Sequence, residues 1–396
     1  MRIQFRRNVF QIALSTIFLL LFSNQSRASH AMGADITYTC LGSNQYLLTF
    51  SFYRDCSGIF PLAVMPIEIH NGCGFNDTIV NINQVGGPVD VPTVCPSAVT
   101  TCHGGAYTGI QKYTYTGIIT LPGPCANWTV GHSEGVRNST ITTITGGGSD
   151  NLYVYSTINN TSGLCNNSPT FSNPPVPFAC IGQRYCFNHG AFDAEGDSLS
   201  YQLITPLTNS SGGIVTYLAG YSATQPIVSS PLVTINLGTG DICMVPQQAE
   251  VTVFAVLVNE YRNGVLIGQV ERDIQLKVEN CSNNIPNISG INGTPFFTRT
   301  ICANAPFCFF INSTDPDAVN TTTITWNNAI PSAVFTTFGG HRDSAQFCWT
   351  PTTADISPTP QCFTVTVKDD NCPYQGSQTH SYCLTEIGRA SCRERV

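Results

Sequence analysis

The sequence predicts an all-β protein: an N-terminal β domain followed by two tandem β-sandwich modules tied by disulfides. Three observations carry this. The 396 residues include 34 Gly, 24 Pro and 18 Cys, a turn-rich, cysteine-rich composition that fits short strands in an oxidising compartment. Past the first 28 residues, no window of 12 or more carries a helical apolar stripe, while runs of β-branched and aromatic residues recur. The cysteines also mark an internal repeat. The formal charge is −7, with 10% charged and 42% hydrophobic residues. That balance excludes an acidic disordered tail, and it excludes a basic nucleic-acid binder.

Residues 1–28 read as a secretory signal peptide. Arg2, Arg6 and Arg7 precede a 14-residue apolar stretch, Val9 to Phe22, and Ser26-Arg27-Ala28 offers a small-residue cleavage site. Spanning a bilayer takes about 20 apolar residues, so no transmembrane segment is expected. Residues 29–172 form the N-terminal β-rich domain, with strands expected at Asp35–Cys40, Tyr46–Tyr53, Ile110–Leu121 and Leu152–Ile158. Seven cysteines lie here: Cys40, Cys56, Cys73, Cys95, Cys102, Cys125 and Cys165. Gly146-Gly147-Gly148 marks a loop, and the domain ends before Pro174-Pro175.

The repeat follows. Cys180-Ile-Gly-Gln-Arg-Tyr-Cys186 and Cys302-Ala-Asn-Ala-Pro-Phe-Cys308 both have five residues between cysteines. Each places an Asp, Asp193 or Asp315, seven positions after the second Cys. Cys243-Met-Val-Pro246 matches Cys348-Trp-Thr-Pro351 further on. Several markers in one order indicate two copies of one module, at 176–281 and 298–385. Strands are expected at Ser198–Ile204, Val251–Val258, Asp273–Val278, Thr322–Trp326 and Phe363–Lys368. Asn263-Gly264 between two such runs predicts a tight hairpin. About 100 residues with seven or so short strands is the size of an immunoglobulin-like sandwich. Ser282–Thr294 is the expected linker.

The last segment, Glu386-Ile-Gly-Arg-Ala-Ser-Cys-Arg-Glu-Arg-Val396, breaks the low-charge composition. Ile387–Val396 is also the in-frame translation of a common sequencing adapter. Residues 386–396 are therefore expected to be an artefact, with the natural chain continuing past Thr385. Without Cys392, 17 cysteines remain, and an odd number calls for a missing partner or a free thiol.

Several stretches resemble one family. They are Ser29-His-Ala-Met-Gly-Ala-Asp-Ile-Thr-Tyr38, Phe52-Tyr-Arg-Asp-Cys56, Cys186-Phe-Asn-His-Gly-Ala-Phe-Asp-Ala-Glu-Gly-Asp-Ser-Leu-Ser-Tyr201 and Asn280-Cys-Ser-Asn-Asn284. They resemble the start of exported Bacteroidota proteins labelled gliding-motility-associated C-terminal domain proteins, over nearly the whole mature chain. The resemblance implies immunoglobulin- or cadherin-like modules ahead of a type IX secretion sorting domain. Attachment to the outer membrane would run through that domain, which is absent here. It implies surface export more than a part in movement.

The acidic loops carry the best chemical expectation, a calcium site. Asp193, Glu195 and Asp197 alternate, as do Asp315 and Asp317, and Asp369 follows a strand. Calcium takes six to eight oxygen ligands, largely carboxylates and carbonyls. Similar loops in cadherin-like modules bind calcium between domains. The bland reading is that Asp and Gly favour turns. Cys180, Cys186, Cys243, Cys281, Cys302, Cys308, Cys348, Cys362 and Cys372 are disulfide candidates with the pairing left open. Their spacings are too long for a zinc site.

Signals for an enzyme are poor. The seven histidines past the signal show no metal-ligand spacing, and no nucleophile elbow or phosphate loop occurs. Cys102-His103 would point to opposite faces of a strand. Glu68 and Asp77, or Asp193 and Glu195, are carboxylate pairs that could flank a glycosidic bond, a weak signal. Tyr107, Tyr113, Tyr115 and Trp128 could stack on sugars, but most are expected in the core. The favoured reading is a non-catalytic secreted cell-surface protein with a structural or adhesive role. Its partner would be an extracellular glycan, matrix or cell-surface protein. The alternative is a set of spacer and binding modules from a secreted enzyme whose catalytic domain lies beyond this chain.

Overall fold

A computed structural model describes residues 31–174, 178–388 and 392. The signal-peptide expectation and most of the charged tail lie outside the described residues. The molecule is all-β, and its helical elements among those residues are four single 3-10 turns and a lone helical residue at 392.

The first unit holds β1 (Ala31–Gly42), β2 (Gln45–Asp55), β3 (Val64–His70), β4 (Thr78–Gln84), β5 (Val89–Val91), β6 (Ile110–Thr120), β7 (Trp128–Glu134), β8 (Leu152–Ile158) and β9 (Thr170–Phe171). Ile36, Leu48, Phe50, Ile67, Ile82, Tyr115, Trp128 and Val154 fill its core. Three of the aromatics weighed as sugar platforms, Tyr113, Tyr115 and Trp128, are buried there.

The second unit holds β10 (Phe178–Cys180), β11 (Tyr185–Phe187), β12 (Ala191–Phe192), β13 (Ser198–Ile204), β14 (Thr234–Ile235), β15 (Ile242–Met244), β16 (Glu250–Arg262) and β17 (Val265–Glu279). The third holds β18 (Asn287–Ile288), β19 (Thr298–Cys302), β20 (Phe307–Thr314), β21 (Thr322–Trp326), β22 (Val334–Thr337), β23 (Ser344–Trp349), β24 (Gln361–Asp369) and β25 (Ser377–Ile387).

The repeat is visible as topology. In the second unit β10 runs parallel to β17, which pairs with β16 and then β13, and β11-β15-β14 forms the facing sheet. In the third, β19 runs parallel to β25, which pairs with β24 and then β21, and β20-β23-β22 faces it. Cross-strand disulfides sit at equivalent places: Cys186–Cys243 joins β11 to β15, and Cys308–Cys348 joins β20 to β23. Period-two burial builds the third core, with Phe309 and Ile311 inward while Phe310 and Asn312 face out. Phe347, Phe363, Val365 and Tyr382 complete it.

Two long strands bind the first two units together. The β16–β17 hairpin turns at Asn263 and Gly264, with φ of 54° and 78°, which Asn and Gly tolerate and bulkier residues resist. One edge of β17 pairs with β16 throughout. The other is taken in succession by β8, β1 and β10. The sheet is thus continuous across the expected boundary at 172–176. Gly33 makes this possible, because a Cβ there would lie 2.4 Å from the Asp273 carbonyl oxygen. Residues Glu250 to Glu260 of β16 are buried without a break. Phe254, Val256 and Val258 pack in the second core, while Val251 and Val253 meet Ile141, Ile144 and Val215 on the other face.

The expected linker is a packed joint. Ile285 belongs to the second core, Ile288 and Ile291 to the third, and β18 pairs with β20. All 18 cysteines are paired. Cys40–Cys165, Cys56–Cys102 and Cys73–Cys125 lie within the first unit, Cys180–Cys281 within the second, and Cys362–Cys383 within the third. Cys95–Cys372 ties the first unit to the third. Strand β25 runs two residues past Thr385, and Cys392 is bonded to Cys302. Cys102 and His103 lie in a 3-10 turn at Thr101–His103, not in a strand. Cys102 is bonded to Cys56 from that turn.

Candidate metal centre

The two acidic loops begin alike. Asp193 follows β12, and its Oδ1 accepts the backbone N–H of Glu195 (3.0 Å) and Asp197 (2.7 Å). Asp315 follows β20, and its Oδ1 accepts the N–H of Asp317 at 2.8 Å. These are the bonds that make Asp a turn residue. They use one carboxylate oxygen and leave the other.

In the second unit this acid has company. Asp193, Asp197 and Glu260 bring one carboxylate oxygen each to within 4.8 Å of one another. Asp197 sits just before β13, and Glu260 pairs with Leu199 of that strand. Arg262 holds Asp197 through Nε at 2.9 and 3.1 Å and through Nη2. Asn166 donates to Glu260 Oε1 at 2.6 Å. Asp193 Oδ2 and Glu260 Oε2 are buried with no hydrogen-bond partner among the described residues. Burial first, then the adjacent Asp193 carboxylate, outweigh the Asn166 bond and push the Glu260 carboxyl up to about 9. Burial likewise raises Asp193.

An all-oxygen donor set with two unpartnered buried oxygens fits a hard cation. Two ligands opposite one another on calcium lie about 4.8 Å apart, from bonds of about 2.4 Å. Three carboxylates beside one guanidinium carry two net negative charges when ionised, which a divalent ion would balance.

The expected ligands are only partly gathered. Glu195 turns away and accepts the backbone N–H of Asn167 at 3.2 Å and its side-chain amide. In the third unit Asp317 is occupied by Asn284, through the backbone N–H at 2.7 Å and Nδ2 at 2.8 Å. Asp369 accepts Asn283 Nδ2 at 2.7 Å and the N–H groups of Asn371 (3.1 Å) and Gly376 (2.8 Å). Asp315 Oδ2 is buried without a partner. Asp315, Asp317 and Asp369 form no three-ligand group among the described residues. Sequence reasoning missed Glu260. Its signal was an acid placed two residues before Arg262 at the end of an apolar run. The other carboxylates weighed, Glu68 and Asp77, both bond the His70 ring, at 3.1 and 3.0 Å.

No family model matches the chain, and no curated protein matches it. Solved structures similar to it include the tandem domains of Dpr2 Ig1-Ig2 in complex with DIP-Theta Ig1-Ig3, at 12% identity and TM-score 0.23, covering 56% of this chain and 99% of that one. Zebrafish RET cadherin-like domains 1 to 4 share 12% identity at TM-score 0.16, covering 58% and 48%. The endo-fucoidan hydrolase MfFcnA4 of glycoside hydrolase family 107 shares 14% at TM-score 0.20, covering 88% of this chain and 42% of that one. Overlaps this low carry no argument, so the fold rests on the topology described above. Among the described residues no helix is long and apolar enough to cross a membrane.

Proposed function

We propose that this chain is a non-catalytic, exported surface protein with a structural or adhesive role, of the gliding-motility-associated type sent out by type IX secretion. One observation carries the reading: the units are fastened to one another at every joint. The first and second share a sheet through β17, and Cys95–Cys372 clamps the first to the third across 277 residues. Disulfides of this density persist outside the reducing cytosol. A cavity of about 510 Å³ lies where all three units meet, lined by Val91, Phe178, Lys368 and Tyr374 among others. A pocket of that size suits a small ligand, such as a segment of an extracellular glycan.

In this reading Asp193, Asp197 and Glu260 hold calcium, and the ion stiffens the first joint. Thermal melts of the oxidised full chain in calcium and in chelator test it. Calcium should raise Tm, and Glu260→Gln should abolish the rise. Identical melts would remove calcium from the account. Release of reducing ends from a polysaccharide panel would overturn the non-catalytic assignment.

A further inference from the structure

We infer that the acidic loop of each sandwich module is a receptor for an Asn-Asn pair carried at the end of the preceding unit, so that units dock in one direction. The inference stands apart from the cation reading, because among the described residues the second joint has no three-acid group. The same contact occurs twice. Near the end of the first unit stands Cys165-Asn166-Asn167, and at the end of the second Cys281-Ser282-Asn283-Asn284. Each cysteine is bonded to an early strand of its own unit, Cys165 to Cys40 of β1 and Cys281 to Cys180 of β10. The asparagines are therefore anchored from behind.

What they meet in the next unit is equivalent residue by residue. The first Asn donates its amide to a buried acid near the end of the strand that pairs with β13 or β21. That acid is Glu260 at 2.6 Å from Asn166, and Asp369 at 2.7 Å from Asn283. The second Asn gives both its backbone N–H and its side-chain amide to the second acid of the loop. That acid is Glu195 for Asn167 and Asp317 for Asn284. The first Asn also accepts through Oδ1, from Arg262 Nη2 at 2.6 Å in one joint and Asn320 Nδ2 at 2.9 Å in the other.

The chemistry selects the partner. A carboxylate is an acceptor only, and an amide brings two donors with no charge to bury. An Asp in place of either Asn would set like charges together. The first unit offers an Asn-Asn pair, yet the repeat's acidic loop is absent from its sequence. It thus presents the pair to the module that follows it.

Hydrogen exchange of the full oxidised chain in chelator tests this directly, since the Asn167 and Asn284 amide protons are themselves held by the loops. Asp317→Ala should speed exchange at Asn284 about 10- to 100-fold, the loss expected for bonds to a charged acceptor. Exchange at Asn167 should stay unchanged, and Glu195→Ala should do the reverse. Unchanged exchange at both amides would overturn the inference. Should an alanine variant fail to fold, Asn284→Asp and Asp317→Asn form a cycle. Asn284→Asp alone should loosen the joint, and Asp317→Asn added to it should restore protection. Additive effects of the two changes would equally overturn it.

Discussion

The buried pair Arg137–Asp273 is the place where the first joint can be broken with one atom change. Asp273 lies on β17 and Arg137 in the first unit. Arg137 Nη1 and Nη2 reach the two carboxylate oxygens at 2.8 and 2.6 Å, and both side chains are 1% exposed. Arg137 also donates to the carbonyls of Asn151 and Leu207, each at 3.1 Å. Asp273→Asn keeps the shape and removes the charge. A guanidinium stranded in this way costs about 3–5 kcal/mol.

A neighbour complicates the reading. Glu271 is two residues away on the same face of β17, is fully buried, and has no partner for either carboxyl oxygen among the described residues. Burial, reinforced by the Asp273 charge, holds its carboxyl well above the ordinary range. Without the Asp273 carboxylate one of these pushes disappears, and Glu271 can ionise beside Arg137. Ionisation of Glu271 would offset part of the cost, so Asp273→Asn alone should cost less than the full amount where Glu271 is charged, and more as the pH falls and protonates it. Asp273→Asn with Glu271→Gln should show all of it. Urea unfolding of the single and double variants, followed on the transition that contains the first two units, measures this. A double variant within about 1 kcal/mol of the parent would refute the argument that this pair secures the joint.

Two shorter predictions follow. Asp241 Oδ1 accepts Asn188 Nδ2 at 2.8 Å and the Ser381 N–H at 3.0 Å, and burial pushes its carboxyl from 3.8 to about 6. A folded value above the unfolded one gives stability that is complete below about 3.8 and lost as pH rises through about 6. The swing is at most about 3 kcal/mol, and Asp241→Asn should flatten that part of a Tm-against-pH curve. Replacing Cys95 and Cys372 together by Ser opens a link spanning 277 residues. A link that long would be worth about 5–6 kcal/mol by loop entropy alone. The joints already hold the units close, so calorimetry should show a smaller loss and a separate transition for the third unit; a single unchanged transition would argue against the clamp.

Much of the fold was legible because it is written in local chemistry. Ser198–Ile204 and Thr322–Trp326 are strands with the expected bounds, since alternation and β-branching report a half-buried ribbon. The Asn263-Gly264 turn needed only its two residues. The paired modules were legible in cysteine spacing. What could not be read was anything set by contact between units. Nothing local marks β17 as a strand whose edge is shared by β8, β1 and β10. Ser282–Thr294 looked like a linker because its polar residues are turn formers, whereas Asn283 and Asn284 are polar because they face acids. Glu260 was hidden for the same reason, as its partners Asp193 and Asn166 lie 67 and 94 positions away.

The bland and the chemical readings of the acidic loops prove to be the two oxygens of one carboxylate. Asp193 Oδ1 and Asp315 Oδ1 do what any turn aspartate does, capping the backbone N–H two residues on. In both loops Oδ2 is then left buried and unpartnered beside a second acid, Glu260 or Asp369. Two acids forced together cannot both stay ionised without a donor or a cation between them. The second joint answers this with Asn283, Asn320 and backbone N–H groups crowding Asp369 and its surroundings. At the first joint, donors reach only Oε1 of Glu260, so a proton or a cation must complete the site. The same repeat therefore arrives at two electrostatic solutions, and among the described residues three acids converge only at the first.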